Sequence, residues 1–257
     1  MITAGIEYAE AGDGPAVIYL HGIGGGIDSF RQQLTGVTGY RNIAWNMPGY
    51  GRSVPGVLTF ETLSNSLSEL ISGLDLGAVH LVGQSIGGMV ALDFTIRMPE
   101  QVKSLSLIGT TPSFGGRDER FKDEFLNARL APLEAGASMA EIAAKAAPNL
   151  VGPNADQSVI DAISAPLANV PERIWRDILE CLVTFNRRAD LGQITQPCCL
   201  IAGSHDQNAP ARTMEKMAAK LAYAEYHLIV DAGHMINQEK PIETNRILVD
   251  FLQRADT

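Results

Sequence analysis

The stretch that decides the fold is VHLVGQSIGGMVALDF, residues 79–94. Its first four residues form an apolar run typical of a strand buried on both faces, and its last six read as a helix. Between them lies the pattern Gly-x-Ser-x-Gly, with Ser85 flanked by Gly83 and Gly87. A strand can turn sharply into a helix there, because neither glycine has a Cβ that would collide with its neighbours. The serine hydroxyl then projects above the end of the strand, which makes Ser85 a candidate nucleophile.

Short apolar runs alternate with helix-length segments along much of the remaining chain. This alternation is typical of a mostly parallel central sheet flanked by helices, the α/β class. We predict an antiparallel pair of edge strands at residues 2–4 and 6–9, and six further strands. The six are 16–20, 42–45, 79–83, 103–108, 198–202 and 225–230.

Residues 112–188 interrupt the alternation, because no strand-like run occurs among them. Four helical stretches are predicted instead, at 118–130, 138–147, 156–168 and 172–185. The prolines between them are Pro132, Pro148, Pro153 and Pro171. We expect these prolines to start or end helices, since a proline inside a helix removes a hydrogen bond. We therefore predict a core domain of residues 1–111 and 189–257, with residues 112–188 as a helical cap over the sheet.

Composition excludes several classes of protein. The chain has 257 residues, of which 46% are hydrophobic, and 20 Lys+Arg against 29 Asp+Glu leave a net charge of −9. This length supports a core large enough for a buried site. The acidic balance argues against a nucleic-acid partner, which requires a basic surface. The N-terminus lacks a signal-peptide pattern, and no apolar run approaches the roughly 18 residues of a membrane span. We expect a soluble cytoplasmic protein with no membrane partner.

Neither a metal nor a cofactor is predicted. Cys181, Cys198 and Cys199 have the spacing of neither a disulfide framework nor a zinc site, and we expect them to be buried. The glycine-rich run after the strand at 16–20 does not fit a dinucleotide fingerprint, and no lysine follows a glycine as a phosphate-binding loop requires.

That glycine-rich run, HGIGGG at residues 21–26, fits another purpose. A glycine-rich turn after a strand leaves backbone N–H groups free to bind an anion. We predict that the N–H of Ile23 and the N–H of Ile86, directly after Ser85, form an oxyanion hole. His21 is expected to anchor the loop through its ring nitrogens.

A serine nucleophile requires a base and a carboxylate that orients the base. His234 follows the last predicted strand, at the sheet edge where α/β proteins place their reactive groups. Asp206 follows the strand at 198–202, so the order along the chain is Ser, Asp, His. His205 as base and Asp231 as acid are the alternatives.

With these motifs the chain resembles the α/β-hydrolase superfamily over nearly its whole length. It is similar to the capped branch that contains 3-oxoadipate enol-lactonases, meta-cleavage-product hydrolases and small esterases. The matching segments are 21–24, 47–53, 83–88, Asp206 and 233–234. The resemblance implies Ser85 as nucleophile, His234 as base, Asp206 as acid, and the helical insert as the cap. Asn46 is a departure, because the family commonly has aspartate there.

Three functions follow as expectations. The first is hydrolysis of a small carboxylic ester or lactone through an acyl-enzyme. The second is hydrolysis of a C–C bond in a product of aromatic-ring breakdown, and the third is a ligand receptor on a hydrolase scaffold. Both a monomer and a homodimer are open.

Arginines in the predicted cap are candidates for binding a substrate carboxylate. They are Arg117, Arg120, Arg129, Arg173, Arg176, Arg187 and Arg188. Of these, Arg187 and Arg188 are taken as the candidate substrate-binding residues. The expected partner is a small molecule, with or without a carboxylate.

Overall fold

A central β-sheet organises the computed structural model, which describes residues 1–114 and 119–257. Within these residues eight strands form one sheet in the order β1-β2-β4-β3-β5-β6-β7-β8. They are β1 Ile2–Thr3, β2 Ile6–Ala11, β3 Ala16–Leu20, β4 Arg41–Trp45, β5 Val79–Gln84, β6 Val102–Ile108, β7 Cys198–Gly203 and β8 Ala224–Ile229. The β1–β2 and β2–β4 pairs are antiparallel and the others parallel. The predicted α/β class is confirmed, and each strand lies within two residues of its predicted bounds.

Helices flank the sheet and fill the connection between β6 and β7. Those of the sheet part are α1 Arg31–Gly36, α2 Phe60–Gly73, α3 Ile86–Arg97, α8 Ala211–Ala218, α9 Ile236–Glu239 and α10 Pro241–Ala255. Those between β6 and β7 are α4 Glu119–Glu134, α5 Met139–Ala146, α6 Gln157–Ala168 and α7 Glu172–Leu182. Among the described helices, none has the length and apolar character needed to cross a membrane.

Strand β3 shows why the sheet is covered on both faces. Successive side chains of a strand point to opposite faces. Val17 and Tyr19 lie in one apolar cluster, together with residues of α10. Ile18 and Leu20 lie in the other, together with residues of α2 and α3. All four side chains are fully buried, so this central strand needs apolar residues at every position.

The helical insert between β6 and β7 follows the prediction except at its prolines. Pro171 precedes α7 as expected. Pro132 lies inside α4, however, and Pro166 inside α6, so the expectation that prolines only separate helices is wrong for Pro132. Each occupies the last turn of its helix, where the missing N–H removes only one of the final hydrogen bonds. Asp118, the predicted start of the first helix, lies outside the described residues.

The insert packs directly onto the sheet part of the molecule. Buried side chains of α7, among them Ile174 and Ile178, belong to the same apolar cluster as β3. Ile174 fills the space beside Gly49, and Leu167 of α6 fills the space beside Gly24. The insert therefore covers the loops that follow β4 and β3. The division into a core domain and a cap domain stays a prediction.

Candidate active site

Ser85 lies in the tight turn between β5 and α3, with φ 55° and ψ −122°. A residue other than glycine rarely adopts positive φ, so the surroundings must hold this conformation. The amide of Ser85 donates to the carbonyl of Ile108 at 3.0 Å, and the Thr110 hydroxyl donates to the carbonyl of Ser85 at 2.7 Å. A Cβ at Gly87 would collide with the carbonyl of Leu20. The glycine of the motif thus lets the turn pack against the neighbouring strand.

The structure brings His234 and Asp206 to Ser85. The Nε2 atom of His234 lies 3.0 Å from Ser85 Oγ, and its Nδ1 lies 2.8 Å from Asp206 Oδ2. Asp206 is 4% exposed and His234 8%. With Nδ1–H donating to Asp206, Nε2 is left to accept the hydroxyl proton of Ser85. Of the two alternatives, His205 lies 3.7 Å from Asp231 and both are about half exposed.

Asp206 is kept ionised by its partners. Burial alone would raise the pKa of this carboxyl, but attraction to the His234 ring and the hydrogen bonds it accepts outweigh burial and lower it. Two of those bonds come from the amides of Asn208 and Ala209, at 2.8 and 2.9 Å to Oδ1. One carboxylate oxygen therefore holds the imidazole while the other is fixed to the loop.

Groups from three other segments hold the loop that carries His234. The amide of His234 donates to the carbonyl of Leu150 at 2.7 Å, and the Gln84 side chain donates to the carbonyl of His234 at 3.1 Å. The Glu239 carboxylate accepts from the amide of Gly233 at 3.0 Å and from the amide of Gly152 at 2.6 Å. Leu150 and Gly152 belong to the insert, so the insert and the histidine loop share this clamp.

Sequence reasoning missed these supporting groups. Gln84 offered a signal, because it is a polar residue at the end of an otherwise apolar strand, directly before Ser85. Leu150 offered none, since its contribution is a backbone carbonyl that any residue carries.

The glycine-rich loop after β3 lies against Ser85. A Cβ on Gly22 would stand 3.3 Å from the Cβ of Ser85. The next residue, Ile23, accepts a hydrogen bond at its carbonyl from the buried hydroxyl of Tyr50 at 2.6 Å. Burial raises the pKa of Tyr50, so this hydroxyl keeps its proton. These contacts fix the loop; the role of the Ile23 and Ile86 amides as anion donors stays a prediction.

His21 anchors the same loop, as the sequence predicts. Its Nδ1 lies 2.8 Å from the carbonyl of Gly22, and its Nε2 accepts from the amide of Met47 at 3.0 Å. Complete burial lowers the pKa of His21 to about 4, against the opposing effect of the Gly22 carbonyl. The neutral ring therefore ties the loop after β3 to the loop after β4.

Arg187 and Arg188, the predicted substrate-binding residues, have other partners. Arg187 donates to the Asp93 carboxylate at 2.6 and 2.9 Å and also pairs with Asp190. Asp93 is buried on α3, about 12 Å along the helix from Ser85. Arg188 is exposed and donates to Ser113 Oγ at 2.6 Å. These contacts give a binding role for either arginine no support, and Arg117 lies outside the described residues.

The three cysteines are free and buried, as predicted. The ligand-type atoms of Cys199, Glu225 and His227 lie within 4.8 Å of one another, a grouping that the sequence did not suggest. Arg254 already binds Glu225 at 2.6 Å. Burial raises the pKa of the Cys199 thiol, and the adjacent Glu225 raises it further. A raised pKa opposes the thiolate form that binds metals. The absence of a metal stays a prediction.

Curated relatives match nearly the full length of the chain. A protein named "Putative carbamate hydrolase RutD" from Variovorax paradoxus is 30% identical over 254 residues, which cover 95% of this chain and 93% of that one. The 2-hydroxy-6-oxononadienedioate/2-hydroxy-6-oxononatrienedioate hydrolase from Paraburkholderia xenovorans is 29% identical over 265 residues, with 96% and 90% covered.

Solved structures share the fold. An esterase from Thermogutta terrifontis superposes with a TM-score of 0.89 at 23% identity, covering 98% of this chain and 94% of that chain. The enol-lactonase from Burkholderia xenovorans superposes with a TM-score of 0.87 at 21% identity, with 96% of each chain covered. The model of the alpha/beta hydrolase family matches residues 17–247. Because this match runs from β3 into α10 and includes the insert and the loops that hold Ser85, Asp206 and His234, the chain belongs to the alpha/beta hydrolase family.

Proposed function

We propose that the protein is a serine hydrolase that cleaves a small carboxylic ester or lactone through an acyl-enzyme. The observation that supports this most is the hydrogen-bonded chain from Ser85 Oγ through His234 to Asp206, at 3.0 and 2.8 Å. The side chains have the geometry with which an imidazole removes a proton from a serine hydroxyl.

Acylation begins at Ser85. His234 Nε2 takes the hydroxyl proton while Oγ attacks the carbonyl carbon of the substrate. Asp206 holds the Nδ1–H and stabilises the imidazolium that forms. The amides of Ile23 and Ile86 bind the negative oxygen of the tetrahedral intermediate, which then collapses as the C–O bond breaks. The alcohol group leaves with the proton that His234 returns; in a lactone it stays attached to the acyl chain.

Deacylation reverses the roles. His234 removes a proton from a water molecule, whose oxygen attacks the acyl carbon. The second tetrahedral intermediate collapses, the carboxylic acid leaves, and Ser85 regains its proton from His234. Neither step uses a cofactor or a metal ion.

The second candidate is hydrolysis of a C–C bond in a ring-fission product. The same three side chains would serve it. It is favoured by the relative from Paraburkholderia xenovorans, whose name gives 2-hydroxy-6-oxononadienedioate as its substrate. A ligand receptor, a cytoplasmic location, and either a monomer or a homodimer stay predictions.

Hydrolysis of p-nitrophenyl hexanoate by Ser85→Ala tests the proposal. We expect kcat/KM to fall by about 10⁴-fold or more, because the variant has no nucleophile. Ser72→Ala is the matched control, since Ser72 is exposed on α2. Full activity of Ser85→Ala would refute the serine mechanism.

Two outcomes separate the remaining candidates. If the unaltered protein binds small molecules saturably but releases no product, the receptor is favoured. If it cleaves a ring-fission product much faster than any ester or lactone, the C–C hydrolase is favoured.

A further inference from the structure

Helix α4 of the insert has a clear inward face, and a charged residue lies in the middle of it. The residues of this face are partly or fully buried and recur at steps of three and four; they are Lys122, Phe125, Leu126, Arg129, Leu130 and Leu133. Exposed residues occupy the other positions from 120 to 134, apart from Pro132. This is the pattern of a helix that packs one stripe against the protein. Arg129 therefore lies where an apolar residue would be expected.

In the parts of the chain that the structure describes, Arg129 contacts an aromatic ring and a carbonyl oxygen but no carboxylate. Its guanidinium carbon lies 3.5 Å from the centroid of the Phe125 ring, and Nη1 donates to the Phe125 carbonyl at 3.4 Å. Within the described residues no carboxylate pairs with it. Burial lowers the pKa of Arg129, yet a guanidinium stays protonated at neutral pH. A partly buried cation without an anion is costly, because water that would solvate it has been removed.

The other described arginines of the insert behave differently. Four of them pair with carboxylates: Arg120 with Glu124, Arg173 with Asp177, Arg176 with Glu172, and Arg187 with Asp93. The fifth, Arg188, is exposed to solvent. Arg129 thus combines burial with the lack of a carboxylate partner, a combination that the other five do not have.

The surroundings of Arg129 connect to the nucleophile. The Phe125 ring beneath the guanidinium contacts the Phe114 ring, with centroids 4.5 Å apart. Phe114 comes four residues after Thr110, whose hydroxyl donates to the carbonyl of Ser85. Helix α4 therefore adjoins the connection that leaves β6 next to the nucleophile.

Helix α7, which packs against α4, carries a buried N–H donor that lacks an acceptor in the described part of the chain. The Nε1 atom of Trp175 is buried without a hydrogen-bond partner within the described residues. The residue before it, Ile174, packs on Gly49 in the loop whose Tyr50 hydroxyl holds Ile23. In residues 1–114 and 119–257, α4 thus carries a partly buried cation without a carboxylate, and its neighbour α7 carries a buried N–H without an acceptor.

We propose that Arg129 binds a carboxylate of the substrate, so that the enzyme prefers small esters or lactones that carry a free carboxylate away from the scissile carbonyl. This rests on the proposed function. A guanidinium binds a carboxylate through two parallel N–H donors, and the interaction is stronger where water is excluded. The cation also offsets locally the net charge of −9, which by itself would repel an anionic substrate.

A matched pair of esters tests this, namely the mono-p-nitrophenyl ester of adipate and p-nitrophenyl hexanoate. They share the acyl chain length and differ by a terminal carboxylate in place of a methyl group. We expect the unaltered enzyme to prefer the adipate ester. In Arg129→Met the preference should fall by about 10- to 100-fold, the range of a lost charge-assisted hydrogen bond. For the adipate ester we expect KM to rise and kcat to change little, because the enzyme binds the carboxylate equally well in the ground state and in the transition state.

Two further variants complete the test. Arg129→Lys keeps the charge without the planar fork, so it should retain part of the preference, and it serves if the methionine variant does not fold. Arg173→Met is the control, because Arg173 is largely exposed and paired with Asp177; it should keep both activities.

Calorimetric binding of free adipate gives a readout that does not depend on turnover. The unaltered protein should bind it, and Arg129→Met should bind it at least about 10-fold more weakly. Equal hydrolysis of the two esters by the unaltered enzyme, or an equal loss for both in Arg129→Met, would overturn the proposal. If neither ester is hydrolysed but adipate binding depends on Arg129, the proposed function fails while the binding site stands.

Discussion

Two regions of the molecule meet at the same edge of the sheet but are held together in different ways. One is the set of loops that carry Ser85, Asp206 and His234, and the other is the helical insert. The loops are held by hydrogen bonds between specific atoms and by glycines that leave no room for a side chain. The insert is held mainly by apolar side chains packed on the core. Many sequences provide apolar packing, whereas few provide a given hydrogen-bond geometry. The loops therefore depend on particular residues more strictly than the insert does.

A clamp of hydrogen bonds joins the two regions. The Glu239 carboxylate binds the amide of Gly152 in the insert and the amide of Gly233 beside His234. Leu150 of the insert accepts from the amide of His234. The insert thus takes part in holding His234, as well as covering the loops that follow β3 and β4. Predictions for Asp206 and Glu239 test how far each region depends on such contacts, and a prediction for His21 tests the neighbouring loop after β3.

The largest effect is expected within the loops, for Asp206→Asn. The amide would still occupy the position but would favour the wrong tautomer of His234. We therefore expect kcat to fall by about 10⁴-fold, which corresponds to an activation free energy higher by about 5.5 kcal/mol. Steady-state kinetics with p-nitrophenyl hexanoate measures it. Asp231→Asn is the control, because Asp231 is half exposed and asparagine tolerates its positive φ of 58°. Equal losses in the two variants would make Asp231 a rival for the acid.

An intermediate effect is expected on stability in acid, through His21. Its pKa is about 4 in the folded protein and 6.5 when unfolded. Between these values the unfolded chain binds a proton that the folded chain does not, so the free energy of unfolding rises with pH. The contribution of His21 to the free energy of unfolding is fully present above about pH 6.5. It decreases by about 3 kcal/mol as the pH falls towards 4.

Urea unfolding at a series of pH values, with NMR titration of the imidazole, measures this. His205→Gln should keep the same pH dependence, since His205 is exposed. A His21 ring that titrates near pH 6.5 in the folded protein would contradict the prediction.

The smallest effect is expected at the clamp between the regions, for Glu239→Gln. Both amides would lose a charged acceptor, and one of them would face an NH2 group that cannot accept its hydrogen bond. His234 should therefore be held less firmly, and kcat should fall by about 10-fold. KM should change little, because the described contacts of the Glu239 carboxylate are with the amides that hold the histidine loop. Glu243→Gln, exposed on α10, is the control and should keep full activity. A change in KM alone would mean that the clamp shapes the substrate site instead of the base.

Much of the fold and of the candidate site could be predicted, because the patterns that indicate them lie within short stretches of the sequence. Strand β3 needs apolar residues on both faces, and the turn at Ser85 needs glycine at Gly83 and Gly87. The role of Pro132 could not be predicted, since whether a proline sits in a last helical turn depends on where the helix ends. Arg187 looked available because its partner, Asp93, is 94 residues away in the chain.

The sequence by itself determined the parallel α/β sheet, the positions of Ser85, Asp206 and His234 at strand ends, and the helical nature of the insert. These depend on periodicity and on short motifs, which are properties of neighbouring residues. Only the tertiary structure decided which described arginine of the insert is partly buried without a carboxylate partner, and that Glu239 joins the insert to the histidine loop. Such pairings bring together residues far apart in the chain, and the free energy of each depends on burial and on atomic distances that exist only in the folded protein.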